Sequence, residues 1–241
     1  MITIIPLDGL PEVRPGADLA AMLRRDFEAG DILVITQKIV SKADNLFVDL
    51  ATVTPDAAAL ALAAVTRKDP RLVALVLRES TAVVRAVPHV LITRHHCGCV
   101  MANAGIDQSN IGDGDADRVL LLPRDPDHSA ARLRTALGVS APAVVISDSF
   151  GRPWRYGVVN IAIGAAGLPA LIDRRGNLDR NGRPMEVTQI ALADLIASAA
   201  GLAMGEGSEG IPAVIIRGMT LDAPMAPASS LIRPLSEDLF Q

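Results

Sequence analysis

Three carboxylates occupy positions from which they could share a hard cation. Asp107 follows Asn103-Ala104-Gly105-Ile106, Asp148 follows the apolar run 143–147, and Glu206 lies between Gly205 and Gly207. Loops and strand ends allow such hard-cation ligands to converge without burying unpaired charge. Ser149 adds a hydroxyl beside Asp148. Of the 23 basic residues 20 are arginines, yet two of the three lysines, Lys38 and Lys42, fall within five residues of each other. Arg152 and Arg155 follow Asp148 closely, in a segment (148–183) that carries a net +3 within a chain of net −4. Such a local reversal suits a polyanionic ligand; a solvated arginine-rich face would read the same way.

Other chemistry-bearing motifs fail on context. Gly205-Glu206-Gly207-Ser208-Glu209-Gly210 matches the dinucleotide fingerprint by letter, but a helix pattern precedes it and a strand pattern follows, the reverse of what places pyrophosphate at a helix N-terminus. Asp113, Asp115 and Asp117 imitate the start of a calcium loop, whose glycine and closing glutamate are here Arg118 and Arg124. His95-His96-Cys97-Gly98-Cys99 offers zinc-type ligands, but neighbouring strand residues point to opposite faces and no second Cys/His cluster completes the shell. The phosphate-loop pattern Gly-x-x-x-x-Gly-Lys-Ser/Thr is absent from the sequence.

The elements that must position these residues read as follows. Apolar spacing predicts a helix over 17–28, and a strand over 32–35 that delivers both lysines at or just past its end. Thr54 as N-cap with Pro55 at the first helical position opens a helix to about 66, and a second helix runs 70–79. Strands are expected at 83–87, 90–93 and 99–102, before the polar glycine-containing loop 103–110. A helix at 128–137 precedes a buried strand at 143–147 with Asp148 at its C-terminal end. A strand at 158–163, a polar loop at 174–183, a long helix at 186–204 and a core strand at 213–217 complete the pattern. Without strict strand–helix alternation, the mixture favours an α+β fold with mixed or antiparallel sheets over a doubly wound one.

Composition bounds the function. The 241 residues are 50% hydrophobic, with mean hydropathy +0.33, enough for an independent core. Only 2% are aromatic, which argues against nucleic-acid binding by stacking on a basic face. No apolar run reaches transmembrane length and the N-terminus lacks signal-peptide features, so no membrane association and a cytoplasmic location are expected. Cys97 and Cys99, two apart, are poorly placed to staple a fold.

Four blocks carry a family resemblance: Thr36-Gln37-Lys38-Ile39-Val40-Ser41-Lys42-Ala43, Asn103-Ala104-Gly105-Ile106-Asp107-Gln108-Ser109-Asn110, Ile146-Ser147-Asp148-Ser149-Phe150-Gly151-Arg152-Pro153, and Met204-Gly205-Glu206-Gly207-Ser208-Glu209-Gly210-Ile211-Pro212-Ala213. In this order, over about nine-tenths of the chain, the sequence resembles the coenzyme F420-0:L-glutamate ligases. The resemblance implies a GTP-dependent enzyme that adds glutamate to the lactyl-phosphate tail of a deazaflavin and, in many members, extends a γ-glutamyl chain. It implies Asp107 and Asp148 on one divalent ion, magnesium or manganese, and Ser149 and Glu206 on a second, with potassium as an optional further ion. Ser149 stands where the family has threonine, and the His95–Cys99 stretch replaces its commoner His-Gly pattern.

By motif position, Leu10, Pro11, Glu12, Val13, Gln37, Lys38, Lys42, Asn110, Gly205 and Gly207 would contact GTP, with Arg152 and Arg155 as phosphate or substrate candidates. The family further implies two interleaved subdomains and an intertwined homodimer; the shift to Pro, Ala and Ser from Asp222 bounds the ligase domain at 1–222 and sets off a tail at 223–241. Its chemistry, activation of a carboxylate as an acyl phosphate followed by amine attack, needs no side-chain nucleophile, and no general base can be assigned from the sequence. Two other classes share the same acids: a metal-dependent phosphatase or nucleotide hydrolase, and a non-catalytic nucleotide-binding module.

Overall fold

The computed structural model describes residues 1–109, 111 and 117–238. The chain opens with strand β1 (Thr3–Pro6), helix α1 (Leu19–Leu23) and strand β2 (Ile32–Thr36). Helix α2 (Gln37–Ala43) follows without a linker, then β3 (Phe47–Asp49), α3 (Ala57–Thr66), α4 (Pro70–Arg78) and the strands β4 (Ser80–Val87), β5 (Val90–His95) and β6 (Val100–Ala102). After β7 (Arg118–Leu120) come α5 (Pro126–Leu137), β8 (Ala143–Arg152), β9 (Arg155–Ala166), β10 (Leu171–Asp173), β11 (Gln189–Ala191), α6 (Leu192–Met204) and β12 (Ala213–Arg217). Helices and mixed sheets together make this an α+β fold. Among the described residues no helix is long and apolar enough to cross a membrane.

The chain divides into two compact units. The first comprises Met1–Pro11, Leu19–Thr36 and Pro126–Arg233; the second comprises Glu12–Asp18, Gln37–Asp125 and Pro234–Gln241.

Unit 1 is built on a five-stranded sheet in the order β1-β12-β2-β8-β9, antiparallel except for the parallel β2–β8 pair. Ile32, Leu33, Val34 and Ile35 are all fully buried, as expected of a central strand covered on both faces. Each such side chain contributes roughly 1.5–3 kcal/mol of transfer free energy. Ile32 and Val34 pack with Val145, Val214, Ile216 and the α6 residues Ala193, Ile196, Ala197, Ala200 and Met204. Helix α5 packs against β8 and β9, starting so close to β9 that a Cβ on Gly164 would stand 2.3 Å from the Pro126 carbonyl oxygen. The Asp127 carboxylate accepts from the N–H groups of Ala165, Ala228 and Ser229 at 2.8, 2.8 and 3.0 Å, while Ala226 forms a parallel bridge with Pro169.

Unit 2 packs the α3–α4 pair with the β4–β5–β6 meander and the β3–β7 ribbon. Its core gathers Leu50, Ala59, Ala63, Leu72, Val73, Leu75, Val76, Leu91, Ala104, Ile106 and Val119. Asp69 caps α4 ahead of Pro70, and Arg71 ties Asp69 to Asp117, 2.7 Å from each.

Several boundaries depart from the sequence reading, β9 for one running from Arg155 to Ala166 rather than over the expected 158–163, and four of the departures have a clear physical cause. The helix expected over 17–28 is only α1: Glu28 N–H donates to Asp31 (2.8 Å) and Arg217 pairs with both Glu28 and Asp31. That anchorage draws the segment toward the end of β12, and the Arg217 hydrogen bonds hold the buried Asp31 carboxyl below its usual range. The helix expected to start at Thr54 instead has Asp56 as its N-cap, accepting from Ala59 N–H at 2.8 Å. The helix expected over 186–204 loses its first turn to β11, whose Gln189 and Ile190 pair with Asp173 and Ile172 of β10. The strand expected to end at Asp148 continues to Arg152, because its hairpin partner β9 keeps pairing after β2 has stopped. Asp113 and Asp115 of the discarded calcium pattern lie outside the described residues.

If Asp56 is the working cap, Asp56→Ala lowers unfolding free energy by about 1 kcal/mol, whereas Thr54→Ala at its exposed site changes it by less than about 0.5 kcal/mol. Urea titrations of the two variants check this; equal losses would return the cap to Thr54.

Candidate functional site

In unit 2, Gln37 opens α2. The buried Ser41 hydroxyl, one turn on, donates to Gln37 Oε1 at 3.1 Å, which leaves Gln37 Nε2 to donate to Asp107 Oδ2 at 2.6 Å. Lys38 Nζ lies 3.6 Å from the same carboxylate oxygen and donates to the Ser109 carbonyl at 3.2 Å. Lys42, four residues further round the helix, is nearly buried and pairs with the exposed Glu12 at 2.5 Å. Spacing of four puts both ammonium groups on one face of α2.

The Asp107 backbone is fixed as firmly as its side chain. It exchanges both hydrogen bonds with Leu120, each 2.9 Å. Just before it, Asn103, Ala104 and Gly105 take positive φ in succession (50°, 53° and 70°), a conformation unfavourable for the first two and held by the buried Ala104. A Cβ at Gly105 would come 2.7 Å from Met101 Sδ, so glycine is required by space as well as by angle. Burial raises the Asp107 carboxyl above its ordinary value of 3.8, against the pull of the Lys38 charge and the Gln37 hydrogen bond. The carboxylate is thus a desolvated anion beside a cation, with 26% of its side-chain surface still open.

In unit 1, Asp148 and Ser149 sit on β8 just beyond Ser147, the last residue paired with β2. The β8–β9 register slips between Ile146 and Ser147, leaving Ile163 as an extra residue on β9. Such a bulge re-aims the side chains that follow it. Beyond it Asp148 faces Ile161 and Ser149 faces Asn160, and Asp148 Oδ1 accepts from Ser149 N–H at 2.9 Å. Asn160 Nδ2 donates to Glu206 Oε1 at 3.1 Å, and its carbonyl accepts from Ser198 of α6 at 2.7 Å. Asn160 is therefore the common neighbour of Ser149 and Glu206. It reaches that position because α6 carries Gly201, where a Cβ would stand 2.2 Å from Asn160 Nδ2.

The Glu206 loop is the helix-to-strand turn its position between α6 and β12 requires. Gly205 takes φ 69°, and Glu209 folds back to accept from Gly207 N–H at 2.8 Å. A side chain at Gly205 would collide with that carboxylate.

Other sequence candidates are placed differently. Arg152 and Arg155 close the β8–β9 hairpin, roughly 13 Å along the strand from Asp148 at about 3.3 Å per residue; Arg152 donates to the Tyr156 carbonyl at 3.2 Å. Leu10 and Pro11 end the first segment of unit 1, while Glu12 and the buried Val13 begin unit 2. Asn110 lies outside the described residues. Among the described residues no three His, Cys, Asp or Glu side chains form a ready metal cluster. Ser41, Asn160 and Gly201 were not anticipated. Asn160 left a trace, a lone amide in the apolar run Val158-Val159-Asn160-Ile161-Ala162.

Because the fold raises the Asp107 carboxyl above its unfolded value, it favours the neutral form, and ionised Asp107 costs stability wherever both states are charged. Asp107→Asn therefore raises the melting temperature at pH 7, with an advantage that shrinks as pH falls toward 3.8. Thermal melts of both proteins across this range test the sign; a variant less stable at pH 7 would contradict it.

Residues 9–218 match the family model described as F420-0:Gamma-glutamyl ligase. A protein of Methanopyrus kandleri named coenzyme F420:L-glutamate ligase is 45% identical over 98% of this chain and 96% of its own length. Its namesake in Methanothermobacter thermautotrophicus is 41% identical over 100% of this chain and 99% of its own. The namesake in Halorubrum lacusprofundi is 46% identical over 89% and 86% respectively. With the family model covering most of the sequence, and relatives of this identity aligned over nearly their whole length, the chain belongs to the F420-0:gamma-glutamyl ligase family.

Proposed function

We propose that this protein joins L-glutamate to coenzyme F420-0 in a reaction dependent on GTP and a divalent cation, activating the acceptor carboxylate as an acyl phosphate. Family membership and the names of its relatives support the ligation. The observation that carries the finer reading is that each unit holds a carboxylate oriented by a side-chain amide: Asp107 by Gln37, and Glu206 by Asn160. Carboxylate ligands of metals are commonly held by such outer partners.

The donor chemistry within each unit fits a hard cation: Asp107 in unit 2, and Asp148, Ser149 and Glu206 in unit 1, offer oxygen only, as suits magnesium or manganese. Bound there, the ions would neutralise phosphate oxygens and hold the attacking and leaving oxygens in line. The chain's own groups do the rest. Lys38 and Lys42 set two positive charges against the triphosphate. Gln37 and Asn160 fix the carboxylate oxygens so that little rearrangement accompanies transfer. Ser149, exposed on β8, keeps a hydroxyl oxygen beside Asp148 without adding a charge. The reading extends to repeated glutamate addition, an intertwined homodimer, a cytoplasmic location and potassium as an optional ion.

Incubation with GTP, magnesium or manganese, glutamate and F420-0, followed by mass spectrometry of the acceptor, tests the proposal. A glutamate-dependent mass gain that EDTA abolishes is expected. Phosphate release indifferent to glutamate would make the protein a hydrolase, and GTP binding without turnover a regulatory module. Asp148→Asn is expected to lose more than about a hundredfold in turnover with the fold intact, and Asn160→Leu about 10- to 100-fold, as for a positioning residue. Full turnover by Asp148→Asn would remove it from the site.

A further inference from the structure

The turn between β5 and β6 is untouched by the ligase reading, and it holds both cysteines of the chain. His95 N–H donates to the Cys99 carbonyl and Gly98 N–H to the His95 carbonyl, each at 2.9 Å. His96, Cys97 and Gly98 thus form a three-residue hairpin loop with Gly98 at φ 92° in the left-handed position. The His95 ring is fully buried. Its Nδ1 accepts from Cys97 N–H at 3.0 Å, which places the ring proton on Nε2. Neither cysteine is in a disulfide; Cys97 is half-buried and Cys99 7% exposed, and the Cys97 thiol lies beside that of Cys99.

We propose that Cys97 and Cys99 form a thiol–disulfide exchange pair for low-molecular-weight disulfides, with Cys97 as the attacking thiolate and Cys99 as the resolving thiol. Access assigns the roles: an incoming disulfide reaches the sulfur nearer solvent, and the buried one is left to close the ring. Electrostatics agree: the neighbouring Cys99 side chain pulls the Cys97 thiol down to about 5 against the effect of burial. The Cys97 thiolate attacks one sulfur of RS–SR, forming a mixed disulfide and expelling RS⁻, which takes a proton from water. Cys99 then loses its proton and attacks Cys97 Sγ; the second RS⁻ leaves and is protonated. Two protein thiols and one disulfide become one Cys97–Cys99 bond and two RSH. Gly98, already in a conformation open to glycine, supplies the backbone freedom that the small ring demands.

The test is incubation of the full chain with oxidised glutathione, quenching with N-ethylmaleimide, and intact and peptide mass analysis. The native protein is expected to lose both alkylatable thiols and end two hydrogens lighter without glutathione. Cys99→Ser should stop at a glutathione adduct on Cys97, and Cys97→Ser should react at least about tenfold more slowly. Circular dichroism checks both variants, and if either fails to fold, the peptide carrying the first adduct in the native protein decides. Retention of both thiols, a first adduct on Cys99, or a lasting adduct on native Cys97 would overturn the proposal.

Discussion

Hydrogen bonding between β2 and β8 stops at Thr36 and Ser147, and what β8 presents beyond that point depends on β9 alone. Up to Ser147 the strand is buried and apolar; past it, one edge has lost its partner and polar side chains can be solvated. The switch from Val-Val-Ile to Asp-Ser falls at this boundary, and the bulge on β9 falls there too. Asp148 and Ser149 are consequently held by a hydrogen-bonded two-stranded arm, a more precise support than a loop. On the proposed reading, the usual rule that ligands gather beyond the carboxyl ends of parallel strands would be followed by a sheet with only one parallel pair.

Much of this could be read from residue order. Asp69-Pro70 announces α4 because a capping carboxylate and a proline at the first helical position act locally. The apolar runs of β2 and β12 are unmistakable because both faces are covered, and the Gly205–Gly210 turn follows from what flanks it. The failures have a common cause. Arg217 shortens α1 from 186 residues away, β9 prolongs β8, and β10 converts the start of a helix pattern into β11: each is a decision taken by a distant partner over a local preference.

Within the candidate site the acids were legible and their supports were not. A carboxylate in a glycine-containing loop is visible as a residue type, whereas Gln37 matters through Ser41 and Asn160 through Gly201, relations of facing surfaces with no sequence period. Asp107 shows the tension in such a site. Its surroundings oppose the charge that a cation would need, and Gln37 and Lys38 only partly compensate. If Asp107 holds a cation as proposed, function and stability pull in opposite directions at this residue.

Asp127 gathers amide protons from β9 and from the segment at 228–229 onto one carboxylate. The stretch from Ala223 to Arg233 is therefore knitted into unit 1, with Ala228 buried in its core and Ala226 bridged to Pro169. Affinity tags or fusion partners replacing residues from 223 onward would unseat a core side chain and strip a carboxylate of two of its donors. Engineering at this end of the chain should extend it rather than trim it.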